Sequence, residues 1–167
     1  MKLKRVVVTG LGALTPLGNT VSEFWDGLAN GKSGAAPITR FDASKFKTRF
    51  ACEVKNFDPA TILDRKEARK MDRFTQFAMV TVEEALKDSG MNLDAINKSR
   101  VGVIWGSGIG GLTSFFAESV EYARGDGTPR FSPFFITKLL IHEYLFNILE
   151  NNSSIKNRSQ ISPLTKV

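Results

Sequence analysis

Short apolar runs alternate with amphipathic stretches along this chain. Val6, Val7 and Val8 stand in series between Lys4 and Gly10, which reads as a buried strand ended by the glycine. The turn-rich segment Leu11 to Asn19 follows. Thr20-Val21-Ser22-Glu23 has the spacing of a capping box, so a helix is expected from there. Val21, Phe24, Trp25 and Leu28 would share its apolar face, and Gly31 would stop it. Phe50 to Phe57 alternates at Phe50, Cys52 and Val54, which predicts a short strand before Asp58-Pro59.

A long helix is expected from about Arg69 to Ser89, with Phe74, Phe77, Ala78, Val82, Ala85 and Leu86 as its buried stripe. Lys87 and Gly90 suit its C-terminal end. Arg100 to Trp105 reads as a second buried strand, and Gly106 to Gly111 as a glycine loop. Leu112, Phe115, Phe116 and Val120 then predict another helix, ending near Gly125. The order is strand, helix, small strand, helix, strand, helix. It predicts an α/β fold with a mostly parallel sheet and crossover helices.

The pattern changes near Thr137. Asn147, Asn151, Asn152 and Asn157 alternate with serines, and the apolar spacing fades after Leu149. A short helix is expected over Leu139 to Leu149 and weak order beyond it. A junction, a frame shift or an alternative terminus would each give such a break.

A length of 167 residues is that of one domain. No apolar run approaches the roughly 18 residues of a membrane span, and Val6 to Val8 is too short for a signal-peptide core. A cytoplasmic protein is the expectation. Cys52 is the sole cysteine, so no internal disulfide or cysteine metal cluster can form, and His142 is the sole histidine. The net charge of +6 favours an acidic partner, with nucleic acid, membrane and acidic protein all open on composition.

Gly106-Ser107-Gly108-Ile109-Gly110-Gly111 fits the G-x-G-x-x-G pattern of dinucleotide loops. The acid that should follow about 20 residues on lacks its strand, because Asp126 lies in the turn Gly125-Asp126-Gly127. Close backbone packing explains these glycines as well. Arg65, Lys66, Arg69, Lys70 and Arg73 form a basic cluster, with the last four at helical spacing. At the start of a helix they would cost a little stability. The cluster reads as a solvated face or as a docking patch for an acidic protein or phosphate. Interleaved aromatics for stacking bases are absent, which argues against single-stranded nucleic acid. Cys52, beside Glu53 rather than a cation, is expected to be buried and structural.

The blocks taken in order resemble a family. Arg5 to Asn19, Phe24 to Gly34, Arg40 to Phe46, Asp64 to Asp72, the Gly106 to Gly111 loop and Ser132 to Ile136 are together similar to β-ketoacyl-acyl-carrier-protein synthases of the elongating type, synthase II. The resemblance implies a thiolase-like fold, with residues 1–138 an incomplete N-terminal domain and 139–167 a divergent tail. It implies a homodimer that extends fatty acyl chains by decarboxylative condensation with malonyl thioesters carried on acyl carrier protein. Neither metal nor nucleotide cofactor is implied, and no nucleic-acid or membrane partner. On matching positions, Lys66, Arg69, Lys70 and Arg130 would dock the acidic carrier protein. Ile109 would line the acyl pocket, with Phe134 and Phe135 near its far end at the dimer interface.

The family's chemistry needs a nucleophilic cysteine and two histidines. Thr137 stands where the family has proline, and the resemblance is gone from Leu139. Neither Cys52 nor His142 matches a catalytic position, so no catalytic residue is assigned. Alone, the chain is expected to be inactive in condensation, and to expose apolar faces that favour association.

Overall fold

A computed structural model describes residues 4–140. His142 and the expected helix beyond Leu140 lie outside the described residues. The described chain divides into two compact units, residues 4–58 with 81–91 and residues 59–80 with 92–140.

In the first unit, helix α1 spans Val21–Ala29. Thr20 caps it, its hydroxyl accepting from the Glu23 backbone N–H at 3.2 Å. The Glu23 carboxylate reaches back to the N–H of Asn19 at 2.7 Å, so the box closes one residue earlier than the usual pattern. Gly31, at φ +62°, ends the helix. The N–H of Gly31 donates to Leu28 O and that of Lys32 to Gly27 O, a Schellman closure. The expected apolar face is only partly right. Gly27 is the buried position, packed on Leu17, while Trp25 is 69% exposed.

Strands β1 (Ala36–Pro37) and β2 (Phe50–Ala51) form an antiparallel pair. This is the only ladder between strands among the described residues, so the expected parallel sheet is not found. Residues 4–10 and 101–105 form no strand. Val6, Val7 and Val8 are exposed, and Ile104 fully so. The physical reason is that β propensity records fit to neighbouring strands, and neither run has a partner backbone here. Without parallel strands the helices are not crossovers in this structure.

The second half of helix α3 (Arg73–Ser89) belongs to this first unit. Its carboxylates hold the turn-rich loop. Glu84 accepts from the backbone N–H of Ala13 at 2.8 Å and of Val21 at 2.9 Å. Asp88 accepts from Leu11 N–H at 2.8 Å. Gly10 and Gly12 lie so close to this helix that an added Cβ would strike the carbonyls of Ala85 and Thr81. Those glycines allow the close approach, and the carboxylates satisfy the donors it leaves.

In the second unit, helix α2 spans Arg65–Lys70 and α3 begins at Arg73. The single long helix expected from Arg69 is therefore broken. Met71 is buried and extended, at φ −104° and ψ 140°. Asp72 then starts α3: its carbonyl accepts from Gln76 N–H at 3.1 Å and its carboxylate from Phe74 N–H at 3.4 Å. The Gln76 side chain donates to Ala68 O at 2.8 Å, tying the end of α2 to α3. Leu63, Ala68, Met71, Thr75, Ala78, Met79 and Val80 form the core here. Of the expected stripe on α3, only Ala78 is buried. The break rotates the face that reaches the core toward Thr75 and Met79.

Helix α4 spans Leu112–Arg124 and α5 Phe135–Leu139. The first matches its expected bounds, but none of its residues is buried. Among the described residues no helix is long and apolar enough to cross a membrane.

The Glu84 clamp carries two charge-assisted bonds from a half-buried position. Glu84→Ala should lower unfolding free energy by about 2 kcal/mol, and Glu84→Gln by less, in urea denaturation followed by circular dichroism. A cost within about 0.3 kcal/mol for Glu84→Ala would show that water replaces the carboxylate without loss.

Candidate functional site

The basic block is built on α2. The Asp64 carboxylate caps this helix, accepting from Lys66 N–H at 2.8 Å and Glu67 N–H at 3.4 Å. Because α2 ends at Lys70, Arg69 and Lys70 occupy its last turn. Cations are favourable there, which corrects the expected destabilisation at a helix start. Ala68 faces the core, while Arg65, Lys66 and Arg69 are exposed.

The five cations do not form one uniform face. Lys66 and Arg69 make no ion pair among the described residues. Lys70 pairs with Glu67 at 2.7 Å and lies 5.9 Å from the centroid of the Phe134 ring. Arg73, the first residue of α3, stacks over Phe77 at 4.9 Å. Arg130 pairs with Asp126 at 3.1 Å, and both side chains are exposed.

The segment bearing Phe134 and Phe135 is held by its own bonds. Ser132 N–H donates to the Glu118 carboxylate at 2.8 Å, and Ser132 Oγ accepts from Phe134 N–H at 3.2 Å. Phe135 stacks on Phe115 and Phe131, with centroids 6.0 and 5.3 Å away. Thr137 lies inside α5, its hydroxyl donating to Phe134 O at 3.0 Å.

Ile109 lies on the glycine loop and is 73% exposed. Gly110 rests against the Phe74 ring, where a Cβ would come within 2.7 Å of Cζ. Gly111, at φ +67°, opens α4 without a side-chain cap. The close-packing reading of these glycines holds at Gly110 and Gly111, whereas Gly106 and Gly108 face open space. No strand leads into the loop, and Asp126 is occupied by Thr128 N–H and Arg130. The setting of a dinucleotide site is missing.

A surface depression of about 490 Å³ lies along the end of α4 and the following turn. Glu118, Tyr122, Arg124, Arg130 and Phe131 are among its lining residues, and Ile109, Phe134 and Phe135 are not. The structure thus joins Lys70 to Phe134, while the depression lies apart from the three acyl-pocket positions. Cys52 is exposed, not buried as expected. The strand before it is only two residues long, so alternation has no second layer to bury it against. Among the described residues, no three His, Cys, Asp or Glu side chains gather as metal ligands would.

Glu67 and Asp126 escape the sequence reading as partners of the docking cations. Their i,i+3 and i,i+4 spacing to Lys70 and Arg130 is the signal that could have found them.

The family model for the β-ketoacyl synthase N-terminal domain matches residues 3–147. The chain belongs to the β-ketoacyl synthase family. It is 49% identical to 3-oxoacyl-[acyl-carrier-protein] synthase 2 of Coxiella burnetii over 85% of this chain and 34% of that protein. The Synechocystis protein of the same name is 46% identical over 84% of this chain and 33% of its own length. The chain therefore spans about a third of these relatives. A type II polyketide ketosynthase solved in complex with its acyl-carrier protein superposes at TM-score 0.70 and 26% identity, over 90% of this chain and 40% of that one. A β-ketoacyl synthase from Burkholderia phymatum gives 0.67 and 27%, over 86% and 37%. These neighbours support a partial thiolase-like ketosynthase fold.

The Asp126 carboxyl is held below its ordinary value, first by the Thr128 backbone N–H, then by the Thr128 side chain, and in lesser part by Arg130. A lowered native value means the stabilisation is present above the unfolded carboxylate pKa of about 3.9 and is lost as pH falls through the native one. Carboxyl carbon NMR should place the Asp126 midpoint below that of an unstructured peptide, and Arg130→Ala should raise it only partway. A midpoint at the peptide value would remove the Asp126–Arg130 pair from the solution structure.

Proposed function

We propose that this chain is the carrier-docking and acyl-pocket portion of a 3-oxoacyl-acyl-carrier-protein synthase of the synthase II type. The intact reaction extends a fatty acyl chain by decarboxylative Claisen condensation with malonyl-acyl carrier protein, in the cytoplasm and as a homodimer. The observation that carries the docking part is the exposed pair Lys66 and Arg69 on a capped helix, neither held by an ion pair among the described residues. An acidic carrier surface would meet them at little desolvation cost, with electrostatics chiefly setting encounter rate and register. Arg130 would add a second contact once drawn from Asp126. Ile109, Phe134 and Phe135 would supply pocket wall.

Condensation itself requires a thiolate to take the acyl group and histidines to stabilise the decarboxylating malonyl group. No cysteine follows Cys52, and His142 is the sole histidine. By itself the chain therefore acts as a carrier-binding module rather than a catalyst.

Titration with acyl carrier protein at low salt should shift carrier amide resonances. Lys66→Glu and Arg69→Glu should each weaken binding about tenfold, and added salt should weaken the parent chain too. No shifts at low salt would refute the docking reading. In parallel, mass spectrometry should detect neither malonyl decarboxylation nor condensation product from this chain alone. Product would refute the non-catalytic reading.

A further inference from the structure

We propose that Lys70 is a positioning residue that couples carrier docking on α2 to the Phe134 segment. This deepens the docking reading and rests on it. Lys66 and Arg69 project from α2 into solvent, whereas Lys70 is half-buried at the end of the same helix. Its ammonium lies 2.7 Å from Glu67 and 5.9 Å from the Phe134 ring centroid. One cation is thus shared between an acid of the docking helix and an aromatic ring assigned to the pocket wall.

Both interactions are of the kind an incoming carboxylate can outcompete. The Glu67 pair is only part-buried and stays open to solvent, so water and an incoming carboxylate can reach it. The ring contact is at the outer limit of cation–π attraction, about 6 Å. An acidic partner on Lys66 and Arg69 would bring carboxylates within reach of Lys70 and draw its ammonium outward.

The consequence would be felt first at Phe134. Its neighbour Phe135 is fixed by stacking on Phe115 and Phe131, and Ser132 by Glu118. Phe134 is 40% exposed, and Lys70 is a cation over its ring. Withdrawal of Lys70 would change the freedom of this ring while leaving the segment's backbone anchored. Docking and the pocket wall would then communicate through one side chain.

The test uses the full chain with 4-fluorophenylalanine at position 134, read by fluorine NMR. Lys70→Met keeps the aliphatic stem and removes the charge. Without carrier protein, it should move the Phe134 line toward the position that saturating carrier gives the parent chain. Carrier should then move that line less than half as far in Lys70→Met as in the parent. Lys66→Met should weaken binding severalfold yet leave the full line shift at saturation. An unmoved line in Lys70→Met, or an undiminished response of that variant to carrier, overturns the coupling while docking stands. Absence of carrier binding to the parent chain overturns both. Circular dichroism of each variant, expected to match the parent, separates loss of the contact from loss of the fold.

Discussion

The break between α2 and α3 is the constraint on which the functional surface depends. Asp72 starts α3 at its backbone and turns the other carboxylate oxygen to Ser114 Oγ of α4, 2.6 Å away. Gln76 reaches back to the carbonyls of Ala68 in α2 and of Met71 just after it. The break is therefore closed by polar contacts on both sides, and Met71 fills the interior between them. If the helix ran on through Met71, Arg69 and Lys70 would lie in the interior of a helix that starts at Arg65, away from the C-terminal end that favours cations. Interrupted, α2 places them in its last turn, with Ala68 inward and Lys66 and Arg69 outward. One buried methionine and one aspartate thus convert a basic stretch of sequence into an oriented face.

What was legible in the sequence follows from how locally each feature is decided. The ends of α1 were readable because Thr20, Glu23 and Gly31 act within a few residues of themselves. The end of α3 near Gly90 and the span of α4 were readable for the same reason. The break at Met71 was not, since methionine and aspartate at those positions fit a continuing helical pattern. The packing of Met71 and the contacts of Asp72 and Gln76 decide it, and one of them, the Ser114 bond, spans 42 residues. The basic block was legible in composition, but its division into exposed and engaged cations depends on Phe134 and Phe77. The membership of Ile109, Phe134 and Phe135 in a common pocket is a family inference that the described contacts leave as a proposal.

The expected strands failed for a different reason. A helix satisfies its backbone hydrogen bonds internally, whereas a strand needs a second strand to satisfy its own. Val6 to Val8 and positions 103–105 have suitable side chains and no partner backbone among the described residues. Among the described residues, elements that close on themselves form, and runs without a partner strand remain exposed. Val6 and Ile104 are the extreme cases.

The same distinction separates the two halves of the proposed function. A docking face needs a capped helix, a core beneath it and cations above it, and α2 has all three within one unit. An acyl pocket needs facing walls, and Ile109 stands exposed on its loop. The proposed docking face therefore rests on local structure, whereas the proposed pocket wall rests on contacts between separate segments. Lys70 lies where those two requirements meet. Its stem and charge belong to the locally formed helix, and the ring beneath its ammonium is Phe134, which is proposed as pocket wall. A cation so placed touches both the proposed docking helix and the Phe134 segment.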